Sequence, residues 1–223
     1  MPVAIEKYQE IKSFLDNKQV ALVAVSKTKP QEDIQELYAL GQRDFGENYV
    51  QELVEKEAVL PKDIHWHFIG HLQSNKVKYI APFVHLIHGV DSFKLLVEIN
   101  KQAAKNNRVI SVLLQMHIAK EETKFGMDAE ELKAALEGAN SLSNIKIIGL
   151  MGMASFSDDL RVVQPEFAYL NGLYQDCIKL KSSNIDCSVL SMGMSGDYQL
   201  AIENGSNMVR IGSLLFGARN YNK

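Results

Sequence analysis

Eight short apolar runs, each followed by residues at helical spacing, constrain this chain more than any other feature. The runs lie near residues 20–25, 43–46, 65–69, 84–89, 110–118, 145–151, 187–191 and 208–211. The helical stripes between them include Ile34-Leu37-Tyr38, Phe93-Leu96-Val97, Leu132-Ala135-Leu136 and Phe167-Leu170-Leu173-Tyr174-Ile178. The first run, Val20-Ala21-Leu22-Val23-Ala24-Val25, is apolar without alternation, as a strand buried on both faces must be. An opening amphipathic helix over about residues 3–16 carries Ile5, Tyr8, Ile11, Phe14 and Leu15 on one face. About eight β/α units with no Ser/Gly/Pro-rich linker predict an α/β fold: a single (β/α)8 TIM-type barrel over residues 1–223, with that extra N-terminal helix. An open doubly wound sheet is the alternative. It is weaker, because no strand ends in a Gly-x-Gly-x-x-Gly turn.

Composition removes several function classes. A formal charge of −3 and a pI near 6.1 give no pull towards nucleic acid or anionic membrane. No apolar run approaches membrane-spanning length, and Glu6, Glu10 and Asp16 interrupt any leader pattern at the N-terminus. The expected location is the cytoplasm. Cys177 and Cys187 make neither a C-x-x-C pair nor a disulfide framework, so they are expected as small buried hydrophobes.

A barrel concentrates function on one rim, where residues just past the strand ends converge. Lys27 follows the first strand, ahead of Pro30 and a helix that Pro30 suits in its first turn. A lysine in such a loop is ordinarily just solvated. An amine held there and partly desolvated can instead lose its proton and condense with an aldehyde. Glu47-Asn48 follow the second strand, His71-Leu72-Gln73 the third, and Lys124 lies in the loop after the fifth. Met153-Ala154-Ser155 follow the sixth. The loops after strands seven and eight often bind phosphate. Here they carry Ser191-Met192-Gly193-Met194-Ser195 and Gly212-Ser213. Gly212 would let backbone amides approach an anion, Ser213 would cap a short helical turn, and Ser191 would add a hydroxyl. A phosphate site and an aldehyde-reactive lysine on one rim together suggest pyridoxal phosphate. Arg210, on the last strand beside the phosphate loop, is either paired structurally or aimed at the ligand, where it could face the pyridine nitrogen. Because it only donates, it would make the cofactor a weaker electron sink than a carboxylate partner would.

The same residues resemble the pyridoxal phosphate homeostasis proteins, single-domain barrels related to the N-terminal domain of alanine racemases. The matching segments are Ala24-Val25-Ser26-Lys27-Thr28-Lys29-Pro30, Phe45-Gly46-Glu47-Asn48-Tyr49-Val50-Gln51-Glu52 and His65-Trp66-His67-Phe68-Ile69-Gly70-His71-Leu72-Gln73-Ser74-Asn75-Lys76. Further on come Leu190-Ser191-Met192-Gly193-Met194-Ser195, Met208-Val209-Arg210-Ile211-Gly212-Ser213 and Phe216-Gly217-Ala218-Arg219. They run in order over nearly the whole chain. The resemblance implies a fold type III pyridoxal phosphate barrel in which Lys27 carries the cofactor as an internal aldimine and Asn48 packs beside its ring. It further implies that Ser191, Gly212 and Ser213 hold the phosphate and Arg210 meets the ring nitrogen. Two departures, His117 in place of a common asparagine and Ser195-Gly196-Asp197 where two aspartates are frequent, touch only details of the rim.

His65 and His67 share one face of a strand, yet no carboxylate or cysteine at ligand spacing joins them, so no metal site is expected. Met151, Met153, Met192 and Met194 read as core and pocket filler. Lys124 is a second rim lysine, more simply a loop charge than an aldehyde-reactive group. Three function classes follow. The first is a non-catalytic protein that stores or hands over pyridoxal phosphate in vitamin B6 homeostasis, as a monomer whose partners are recipient pyridoxal phosphate enzymes. The second is an amino-acid racemase or decarboxylase. The third is a barrel for another phosphorylated metabolite, with Lys27 unmodified. Racemisation needs a base on the opposite face of the substrate. Related racemases supply it as a tyrosine from a second domain, whereas this chain stops just past its eighth unit, which favours the first class.

Overall fold

A computed structural model describes residues 3–119, 125–157 and 159–217. The chain begins with α1 (Ile5–Asn17), β1 (Ala21–Val25), α2 (Gln31–Ala39), β2 (Asp44–Glu47), α3 (Val50–Val59) and β3 (His65–Phe68). A 3-10 turn at Ser74–Lys76 leads to α4 (Val77–Ile80), β4 (Leu86–Val90), α5 (Phe93–Lys105) and β5 (Ile110–Met116). There follow α6 (Ala129–Ala139), β6 (Ile145–Gly152), α7 (Leu160–Cys177), β7 (Ile185–Ser191), α8 (Tyr198–Glu203), β8 (Met208–Ile211) and α9 (Ser213–Phe216). All eight strands pair in parallel in sequence order, and β8 returns to β1 through Ala21↔Met208 to Ala24↔Ile211. This is the expected closed barrel. None of the described helices is long and apolar enough to cross a membrane.

Two apolar clusters hold it together. The larger lies between the strands and the surrounding helices, with Phe45, Trp66, Phe68 and Phe167 among its bulkiest members. α1 joins it through Tyr8, Ile11 and Leu15, and the Ala4 N–H donates to the Leu215 carbonyl of α9 at 2.8 Å. The smaller cluster gathers Val23, Leu86, Leu113, Met151 and Met208, contributed by β1, β4, β5, β6 and β8. Strands this far apart meet only across the inside of the barrel, so this cluster is its apolar filling. Polar side chains that are also buried share the interior: His67, His88, Ser191 and Arg210.

The register breaks on both sides of β6, between Val112 and Leu113 of β5 and between Ile147 and Gly149 of β6. Gly149 adopts φ 154°, and a Cβ built there would stand 1.7 Å from the Val189 carbonyl oxygen. A bulge of this kind turns the strand so that its later residues reach the rim at a new angle. Gly149→Ala is expected to cost about 3 kcal/mol or more, since both backbone conformation and a backbone clash oppose it. Urea denaturation measures this. A loss below about 1 kcal/mol would mean that β6 can give up the bulge.

One expectation is corrected. Cys177 at the end of α7 and Cys187 on β7 are joined as a disulfide, with Cα atoms 6.0 Å apart. They lie close because β7 runs back along the end of α7, a proximity that local pattern does not reveal.

Candidate functional site

β1 ends at Val25, and the chain then makes a tight turn. The Ser26 N–H donates to the Gly46 carbonyl (3.0 Å) and the Lys29 N–H to the Ser26 carbonyl (3.0 Å). Thr28 is driven to φ 63°, a conformation a β-branched residue rarely accepts. Such a residue stores about 1–3 kcal/mol of strain and persists only where its surroundings over-determine it. Here the Thr28 N–H donates to Glu52 Oε1 of α3 at 2.6 Å. Pro30 occupies the N-cap of α2 rather than its first turn, since Gln31 is the first helical residue. The result is a half-buried Lys27 on the wall of a cleft of about 400 Å³ at the C-terminal ends of the strands.

Of the six residues singled out from the sequence, Lys27, Asn48, Arg210, Gly212 and Ser213 line this cleft. Ser191 does not. It is fully buried beneath the floor, where its hydroxyl accepts from Arg210 Nη1 at 2.7 Å. Lys29, Ser195 and Asp197 also line the cleft; Lys29 sits two residues past Lys27 in the same turn. Met153 and Met194 line it while Met151 and Met192 are core, as their filler reading anticipated. Lys124 lies outside the described residues.

A charged network that sequence reading missed supports the Lys27 turn from below. Lys56 on α3 is nearly fully buried. Its Nζ donates to Glu47 Oε1 (2.8 Å), Glu52 Oε1 (2.6 Å) and the Ser26 carbonyl (2.8 Å). The Ser26 hydroxyl donates to the same Glu47 oxygen at 2.6 Å, while Glu47 Oε2 has no partner among the described residues. Burial pushes the Glu47 carboxyl up to about 7, against the opposing pull of Lys56. The visible signal was the i, i+4 pair Glu52/Lys56, which reads as an ordinary solvated helix face.

On the far side, the Gly212 N–H donates to Ser195 Oγ at 3.2 Å, tying together the loops after β7 and β8. Gly212, not Ser213, is the N-cap of α9, and no side chain caps that turn. The expected Ser213 cap is therefore corrected: Ser213 is the first helical residue. A Cβ on Gly212 would stand 3.2 Å from both the Val25 carbonyl and its Cβ. Asp197 accepts from the Met194 N–H at 2.5 Å. Buried Glu166 accepts from the Ser155 N–H (2.7 Å) and hydroxyl (2.6 Å), which fixes the loop after β6.

Arg210 forms part of the cleft floor and is only 4% exposed. Nη1 donates to the Ser191 carbonyl (2.9 Å) and hydroxyl, and Nη2 to the Gly152 carbonyl (3.1 Å). Burial lowers its pKa to about 10, which leaves it a cation at neutral pH. Asn48 brings the opposite polarity, because its buried Oδ1 has no hydrogen-bond partner among the described residues. Such an atom is costly unless a ligand or water completes it.

From Arg210 a line of hydrogen bonds runs down through the barrel. Ser191 Oγ meets His88 Nδ1 (3.2 Å), His88 Nε2 meets His67 Nδ1 (2.9 Å), and His67 Nε2 meets Asp44 Oδ1 (3.0 Å) at the opposite end. Desolvation, reinforced by neighbouring His67 and Arg210, holds His88 well below the usual imidazole range. At Asp44, burial acts to raise the carboxyl, but the bonds and charges of His67 and His65 outweigh it and the net shift is downward.

Comparison with known proteins decides what kind of barrel this is. The sequence profile of the alanine racemase N-terminal domain matches residues 4–220. The chain is 45% identical over 201 residues to the pyridoxal phosphate homeostasis protein of Aquifex aeolicus, covering 90% of this chain and 87% of that one. The chain belongs to this family. The human pyridoxal phosphate homeostasis protein is 43% identical over 217 residues, with 92% of this chain and 78% of the relative covered. Among solved structures, PipY of Synechococcus elongatus with PLP bound superposes with a TM-score of 0.86 at 36% identity, covering 95% of this chain and 99% of that one. The alanine racemase of Bartonella henselae, at 15% identity and a TM-score of 0.70, shares the fold; all of this chain matches 62% of it.

Proposed function

We propose that this protein binds pyridoxal phosphate in the Lys27 cleft and holds it for vitamin B6 homeostasis without turning over amino acids. The observation that carries the reading is the convergence of Lys27, Asn48, Arg210, Gly212 and Ser213 on one cleft, in a chain whose family relative PipY has PLP bound. The donor set fits the ligand. An amine suits an aldehyde, a glycine-lined turn with little room for a side chain suits a phosphate, and the orphaned Asn48 oxygen lacks a partner. A cleft of about 400 Å³ lies within the usual range of about 300–1,000 Å³ for small-molecule sites.

Lys27 would hold the ligand through its amine, the group on this wall that can condense with an aldehyde. Gly212 and Ser213, with Ser195 beside them, would hold the phosphate, and Asn48 would pack beside the ring. Arg210 would meet the ring nitrogen. Ser191, expected as a phosphate donor, instead fixes Arg210 from below. Bound pyridoxal phosphate supplies an electron-withdrawing ring, and an arginine that stays cationic keeps its nitrogen unprotonated and that withdrawal weak. The remaining ionisable groups on the described wall are spoken for in part: Lys29 Nζ donates to the Phe216 carbonyl at 2.5 Å, and Asp197 holds Met194. No tyrosine, histidine or cysteine is among the described residues lining the cleft. A positioned acid–base group typically contributes about 10²–10⁴-fold in rate. With none of those three residue types on the described wall, and with Lys29 and Asp197 engaged with the backbone, storage and delivery to cytoplasmic recipient enzymes is the role supported.

Absorbance titration tests this. One equivalent of pyridoxal phosphate should raise a visible imine band, and L-alanine should then yield no D-isomer, carbon dioxide or keto acid above the free cofactor. Gly212→Val should weaken pyridoxal phosphate at least ~10-fold, about 1.4 kcal/mol, while barely affecting unphosphorylated pyridoxal. Equal losses for both ligands would remove the phosphate from these loops. Sustained turnover would make the protein an enzyme.

A further inference from the structure

The end of the barrel opposite the cleft carries a second constellation that the cofactor reading leaves unused. Asp44 opens β2, His65 opens β3, and His85 immediately precedes β4, so all three lie at the N-terminal ends of the strands. Register places Asp44 directly opposite His65, and His67 reaches the same carboxylate from inside the barrel. We propose that Asp44, His67 and His85 form a binding site for a divalent first-row transition metal of the zinc or cobalt class.

Geometry and chemistry both support it. One ligand atom from each of the three residues lies within 4.8 Å of the other two. Tetrahedral Zn–N and Zn–O bonds of about 2.0–2.2 Å place ligand atoms roughly 3.3–3.6 Å apart in an occupied site. Asp44 and His67 stand at 3.0 Å, so occupancy asks for a small spreading of that pair and a modest movement of His85, whose side chain is exposed. Two imidazoles and a carboxylate match the donor set of sites that keep positions open for water. His67 is 1% exposed, and its other nitrogen is held by His88 at 2.9 Å. Ligating histidines are commonly oriented through the second nitrogen in this way. His65 completes the frame: it bonds Asp44 Oδ1 at 3.2 Å and stacks on His85, ring centroids 4.4 Å apart. Sequence reading dismissed His65 and His67 for want of a carboxylate. The carboxylate comes from the neighbouring strand.

The test uses the full chain without an affinity tag and needs no pyridoxal phosphate, so it stands apart from the cleft assignment. Isothermal titration with Zn²⁺ and visible spectroscopy with Co²⁺ should show one saturable ion per chain. Asp44→Asn and His85→Ala, both at partly or fully exposed positions, should fold normally by circular dichroism. Each should weaken binding at least ~10-fold, the scale on which lost metal-site contacts are felt. The absence of saturable binding in the wild type would overturn the site. So would equal affinity in both variants, which would locate the ion elsewhere on the surface.

Discussion

Lys27→Ala should purify as a folded barrel that no longer develops the imine band when pyridoxal phosphate is added. The substituted atoms lie on the wall of an open cleft, not in either apolar cluster, so no core cavity forms. Stability should change by no more than about 0.5 kcal/mol. Retention of the cofactor through dialysis should fall ~100-fold or more, about 2.7 kcal/mol, because only the contacts at Asn48, Arg210 and the glycine turn remain. Borohydride reduction of the loaded wild type, followed by peptide mass spectrometry, should place the adduct on Lys27. An adduct mainly on Lys29, its neighbour in the same turn, would reassign the anchor.

The second large effect concerns the network under that turn. Lys56→Met should cost about 3–5 kcal/mol at pH 8, the usual penalty for leaving one member of a buried ion pair alone. The penalty should shrink at pH 5.5. The Glu47 carboxyl titrates near 4.5 when unfolded and at about 7 when folded, so the folded state holds the proton more tightly. Its contribution is fully present below pH 4.5 and is lost as pH rises through 7. At about 1.4 kcal/mol per pH unit, the interval from 4.5 to about 7 caps that loss at about 3 kcal/mol. Removing Lys56 takes away the cation that opposes burial and raises the folded value further, so the loss extends to higher pH. Urea denaturation across this range checks it, with Glu47→Gln as the reference that removes the titration but leaves the buried histidines in place. A Lys56→Met penalty equal at both pH values would show that Glu47 is not the responsible group.

The barrel was legible because its information is local: each apolar run announces a strand, and strand ends announce the rim. Lys27, Asn48, Arg210, Gly212 and Ser213 reached the same cleft for that reason. What local pattern does not carry is which residues meet once the sheet closes. Ser191 was placed by its position at a strand end. Its side chain, however, turns inward, where closure brings it to Arg210 and to His88, 103 residues away. Asp44 and His85 become neighbours of His67 only through the pairing of β2, β3 and β4. The Cys177–Cys187 bond and the Lys56–Glu47 pair likewise depend on how a helix lies against a strand, an angle no residue spacing states. Ser213 missed its cap by one position, because Gly212 alone separates the end of β8 at Ile211 from the start of α9 at Ser213 and takes the N-cap itself.

The line from Arg210 to Asp44 has a direction. A guanidinium can only donate, and an ionised carboxylate can only accept. With one proton on each imidazole, the links between these ends have a single consistent order. The Ser191 hydroxyl points to His88 Nδ1, His88 Nε2–H to His67 Nδ1, and His67 Nε2–H to Asp44. Neutral histidine has two tautomers, so this is a row of switches set alike, and reversing one reverses them all. A cation that claims the lone pair of His67 Nε2 would turn His67 Nδ1–H towards His88, His88 Nδ1–H towards Ser191, and the Ser191 hydroxyl away. The floor beneath the cofactor cleft would then register what happens at the far mouth of the barrel through the reorientation of protons along that line.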